Sequence, residues 1–77
     1  MNQETFNLDL RKFLKRFGVT AQREIERAVA DAVKNGTLTG SETLVVRATL
    51  TIPDVLDELR LDGEIGLETA SRRDGGE

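Results

Sequence analysis

The chain is 77 residues long, carries a net charge of −3 with 32% charged residues, and has neither cysteine nor histidine. Disulfides are thereby excluded, and zinc or copper sites lose their usual ligands. This length holds one domain with a marginal core, so self-association or docking on another protein is the remaining way to supplement it.

The first element is an amphipathic helix. Phe6, Leu10, Phe13, Leu14 and Phe17 fall on one helical stripe, with Arg11, Lys12, Lys15 and Arg16 on the opposite side. Asn2 is placed to accept from an unpaired N–H of the first turn. Gly18 has the residue type that ends a helix in a left-handed conformation, with Val19 folding back on Leu14. Thr20 then caps a second helix, in which Ile25, Ala28, Val29, Ala32 and Val33 repeat the stripe and Ala21 extends it backward. Gly36 ends that helix in its turn. The connection is so short that the two helices are expected to be neighbours in an αα-hairpin or corner.

From Thr43 the period changes to two. Leu44, Val46, Ala48, Leu50 and Ile52 share one face of a strand, and Thr43, Val45, Arg47, Thr49 and Thr51 share the other. Pro53 stops the strand. A tight hairpin at Asp62-Gly63 would set apolar against charged residues on one face, so a single strand carrying Leu59, Leu61, Gly63, Ile65 and Leu67 is expected instead. The register that pairs every inner position with an apolar or small one sets Ile52 opposite Leu59, Leu50 opposite Leu61, Ala48 opposite Gly63, Val46 opposite Ile65, and Leu44 opposite Leu67. It also sets Arg47 opposite Glu64. Residues 53–58 become the connecting loop, with a short helical turn as the alternative. The whole is an α+β fold, with two N-terminal amphipathic helices packed on a two-stranded antiparallel hairpin (ααββ). Residues 1–69 form the domain and 70–77 a disordered tail.

Chemistry-bearing constellations are scarce. Without His or Cys, Ser41 and Ser71 have no conventional base, and there is no phosphate-cradling glycine loop. A non-enzyme without a cofactor is expected. Asp54, Asp57, Glu58, Asp62 and Glu64 cluster locally but lack the spacing of an EF-hand loop, so solvated carboxylates are the favoured reading and no metal site is expected. Phe17-Gly18-Val19-Thr20 gives only a weak helix-turn-helix signal, because Glu24 and Arg27 fall where that motif wants apolar side chains.

Charge is unevenly spread. Residues 1–36 carry seven basic and five acidic side chains (+2), and residues 37–77 carry four and nine (−5), which together give the net −3. Arg11, Lys12, Lys15 and Arg16, with Arg23 and Arg27 nearby, form the most basic surface. It reads either as a phosphate-contacting face or as the ordinary polar side of an amphipathic helix, and the second reading is favoured because no Tyr or Trp is present for base stacking. Leu8 on the polar side of the first helix and Val45 on the outer strand face, together with two open strand edges, mark a further contact surface. A protein partner or a second copy is therefore the expected ligand, with nucleic acid as the less favoured one.

No apolar run approaches the roughly 20 residues that span a bilayer. The start, Met1-Asn2-Gln3-Glu4, lacks the basic and apolar regions of a secretory signal. A soluble, cytoplasmic protein with no membrane partner is expected. The run from Phe6 through Phe17-Gly18-Val19-Thr20 to Val33, with the later Gly63-Glu64-Ile65-Gly66-Leu67-Glu68, resembles a family of short bacterial proteins of unknown function over roughly residues 1–68. That resemblance implies a compact bacterial cytoplasmic domain and carries no site residue with it.

Overall fold

The computed structural model describes residues 1–68. Its elements in chain order are α1 (Gln3–Lys34), β1 (Thr43–Ile52) and β2 (Leu56–Gly66). The chain divides into two units, one ending at Thr37 and one beginning at Leu38. The expected tail, 70–77, lies outside the described residues. The layout is α+β, a helical part followed by an antiparallel hairpin.

The helical part is one helix rather than two. Gly18 lies inside α1, and the positive-φ glycines are Gly36 and Gly40 instead. Two energies explain why the chain does not turn at Gly18. Keeping glycine in the helix costs about 1 kcal/mol relative to alanine, and the β-branched Val19 and Thr20 cost a few tenths each. Breaking there would forfeit the ladder bonds across the junction and require a second, unfavourable nucleation. The stripe also keeps phase through the glycine, because Phe17 and Ala21 are four residues apart. Thr20 therefore caps nothing.

Both outer ends of α1 are built as expected. Asn2 is extended (φ −93°, ψ 111°), and its Oδ1 accepts from the Thr5 N–H at 3.0 Å. At the other end Gly36 takes φ +87°, and its N–H donates to the Val33 carbonyl at 3.2 Å. Asn35 Oδ1 accepts from the Thr37 N–H at 3.0 Å. Glu4 in the first turn and Lys34 in the last both oppose the helix dipole favourably.

The hairpin carries the faces read from the period of two, in a register shifted by two residues. Leu44 is opposite Ile65, Val46 opposite Gly63, Ala48 opposite Leu61, and Leu50 opposite Leu59. Gly63 thus faces Val46, not Ala48, and Arg47 meets Asp62 rather than Glu64 while keeping an opposite-charge partner. The cause is the turn. Pro53-Asp54-Val55 closes the hairpin in three residues, with the Val55 N–H donating to the Ile52 carbonyl at 2.9 Å. Proline followed by a residue of positive φ, here Asp54 at 68°, is the pattern of a type II turn. Residues 56–58, expected in the loop, are already strand, and an irregularity between Leu50 and Ile52 absorbs the mismatch. β2 runs unbroken through Asp62-Gly63, as the face argument requires.

The connection before β1 is organised by Glu42. Its carboxylate accepts from the Thr39 N–H at 2.8 Å and the Gly40 N–H at 3.0 Å, and its carbonyl accepts from the Leu67 N–H at 2.9 Å. The bond from the Thr39 N–H is the largest effect and, with smaller help from Gly40, holds the carboxyl below its ordinary value against the opposing effect of desolvation.

Two outcomes follow from this geometry. Gly18→Ala should stabilise α1 by about 1 kcal/mol in thermal unfolding followed by circular dichroism, since an added Cβ meets nothing within 4 Å. Destabilisation would place a left-handed turn at Gly18. For Glu42, a lowered folded-state pKa means its contribution is complete above the ordinary glutamate pKa and disappears as pH falls through the folded value. The protection of the Thr39 and Gly40 amides, taken relative to their intrinsic exchange rates at each pH, should therefore fall on acidification through that window, and Glu42→Ala should remove that pH dependence.

Candidate interaction surfaces

A single helix gathers the basic residues more tightly than two would. Leu8, Lys12, Lys15, Val19 and Arg23 recur at i, i+4, i+7, i+11 and i+15, which is one face of α1, with Arg16 beside it. Lys12, Lys15, Arg16, Val19, Thr20 and Arg23 line an open hollow of about 400 Å³. Val19, Gln22, Arg23 and Glu26 line a smaller one of about 240 Å³. Arg11 sits on the shoulder of this face. Arg27 is drawn to Glu24 at 3.7 Å, and Gln22 donates to Glu26 at 3.1 Å. These exposed contacts are worth tenths of a kcal/mol each. Val19 and Thr20 were expected as capping residues, so their place among the bases was missed. Their i+7 and i+8 spacing from Lys12 is the signal that finds them.

The opposite, apolar side of the helix is half exposed along its length. Phe6, Phe13 and Phe17 retain 49%, 45% and 47% of their accessible surface. The Phe13 and Phe17 rings lie 6.4 Å apart at 16°, and the Arg16 guanidinium lies 6.0 Å from the Phe13 centroid. Such stacking orders the rings locally without removing them from water.

The hairpin presents two unlike faces. Val45, Arg47, Thr49, Glu58, Arg60, Asp62 and Glu64 form the outer, polar one, where Arg60 lies 3.7 Å from Glu58 and the Thr51 hydroxyl donates to the Asp57 carbonyl at 3.1 Å. Val45 is 66% exposed there, opposite Glu64. Leu44, Val46, Ala48, Leu50, Leu59, Leu61 and Ile65 form the apolar face, and Leu61 is 70% exposed. Among the described residues the sheet has two strands, and each has an unpaired outer edge. Among the described residues no side chain is buried and no group of acidic residues is arranged to hold a metal ion. No helix among them is long and apolar enough to cross a membrane.

The class defined by these elements is a small α+β protein made of one long amphipathic helix and one β-hairpin. The chain belongs to the family of unknown function DUF6494, whose model matches residues 1–68. No curated protein and no solved structure matches it.

Proposed function

We propose that the protein is a non-enzymatic interaction module that acts by associating with itself or with another protein. One observation carries this reading. The helix and the hairpin each present a continuous apolar face, and no described side chain is buried. An isolated two-stranded hairpin is marginal in water, and most of the stability of a natural helix comes from burying its apolar side. Both faces need a cover, and association supplies one. The candidate surfaces, each taken within its own unit, are Leu8 and the basic group on α1, the apolar stripe opposite them, and, on the hairpin, Val45 with the open strand edges. A bacterial cytoplasmic setting, where an absence of cysteine has no cost, fits this role.

Sedimentation velocity across a wide concentration range, paired with affinity capture from nuclease-treated lysate, tests the proposal. The expected result is a mass above that of one chain, or a protein retained after nuclease. A chain that stays monomeric and retains nothing would contradict it.

The basic hollow on α1 favours a second reading, in which Lys12, Lys15, Arg16 and Arg23 contact the phosphates of a nucleic acid. In that case affinity for duplex DNA or RNA should fall steeply with salt, and a joint Lys12→Ala/Arg16→Ala variant should flatten the salt slope by about two. Binding that is absent at low salt would remove this reading.

A further inference from the structure

Because α1 is unbroken, a repeat becomes visible that a turn at Gly18 would have hidden. Phe6–Arg16 and Phe17–Arg27 align residue for residue over 11 positions, and Ala28–Lys34 begins a third copy. Phe6, Phe17 and Ala28 correspond, as do Leu10, Ala21 and Ala32, and on the far side Lys12, Arg23 and Lys34. Within this repeat the apolar positions are spaced four, four and three residues apart, from Phe6 and Leu10 through Leu14 and Phe17 to Ala32. Eleven residues in three turns differ little from the natural period of the helix, so such a seam drifts by only about 20° per repeat. It stays on one side of a nearly straight rod for the 27 residues from Phe6 to Ala32, about 39 Å.

The seam also complements itself in reverse. Phe6 and Ala32, Leu10 and Ala28, and Phe17 and Ala21 are three pairs whose residue numbers each sum to 38, and Leu14 falls within one residue of level with Ile25. Two copies of α1 laid antiparallel about a two-fold axis at the axial level of Val19 would therefore set Phe6, Leu10 and Phe17 each against an alanine, with Leu14 near Ile25. That is how facing layers interdigitate. A parallel pair would stack Phe on Phe at one end and Ala on Ala at the other, and no single interaxial distance suits both.

Charge agrees with size. In the antiparallel pair Asp9 of one copy lies within about 3 Å of level with Arg27 of the other, and Arg16 with Glu24, by the helical rise per residue. The existing Glu24–Arg27 pair at 3.7 Å then becomes part of a four-charge row flanking the seam. Area is adequate too. The three half-exposed rings alone offer about 300 Å² per copy. Leu10, Leu14 and Ile25 carry the two-copy total to roughly the 1,000 Å² of a specific interface.

We propose that the apolar stripe of α1 is the seam of an antiparallel helix pair between two copies of this chain, centred at the axial level of Val19. The inference rests on the interaction reading above and names its partner. The basic face of each helix is left pointing outward from the pair.

The absence of native cysteine permits single spin labels through Thr20→Cys or Asp31→Cys, two positions that are equivalent in the 11-residue repeat and lie on the helix flank between the seam and the basic face. In the antiparallel pair the intermolecular distance is short for labels at 20, where the axial offset is about 3 Å. It is long at 31, where the offset is about 36 Å. Short distances at both positions would mean a parallel pair and overturn the proposal. Association with no helix-to-helix distance at residue 20 would overturn it in favour of pairing through the hairpin. A monomer in sedimentation would overturn it as well, and capture of another protein by that monomer would leave the broader interaction reading standing.

Discussion

The ladder of backbone hydrogen bonds that runs through Gly18 determines what the helical half of this protein can do. With it intact, residues 3–34 form one rod about 48 Å long with a single apolar side. Were it broken, the same residues could fold back and bury Phe6, Phe13 and Phe17 against Ala28 and Ala32 within one chain. The alternatives differ by small terms, roughly 1 kcal/mol for an internal glycine against the cost of a second nucleus and lost ladder bonds. Continuity leaves the rings half exposed, and the proposed association rests on that exposure.

The hairpin shows the same economy on a smaller scale. Its apolar face holds no bulky aromatic side chain, and Gly63 opposite Val46 leaves one inner position empty. What fixes its geometry is the Pro53-Asp54-Val55 turn, with Asp54 held at positive φ. The polar outer face is laced by Arg47 opposite Asp62 and by Arg60 beside Glu58. These exposed charges contribute little to stability, but they distinguish the two faces and leave the apolar one as the side to be covered.

Much of this was legible in the residues, and the parts that were not share a physical cause. Asn2 as the N-cap, Gly36 at the end of the helix, the strand faces and the rejected turn at Asp62-Gly63 all follow from strong local rules. The hairpin register was displaced because a shift of two residues leaves every side chain on its own face. Alternation alone cannot separate such registers, and only the turn decides. Gly18-Val19-Thr20 was read as a break because each residue has the right type for one. The i+4 step from Phe17 to Ala21 points the other way, and phase is the better guide where glycine is merely tolerated. The basic surface was found residue by residue, yet its gathering around Val19 depended on continuity that composition does not report.

The most direct test is backbone NMR of residues 15–23 in the full chain. Uninterrupted helical Cα shifts and an unbroken run of sequential amide contacts through Gly18, Val19 and Thr20 are the expected result. Extended shifts at Thr20 with a left-handed signature at Gly18 would contradict the account, because the single stripe, the 11-residue repeat and the self-complementary seam would all lose their basis together.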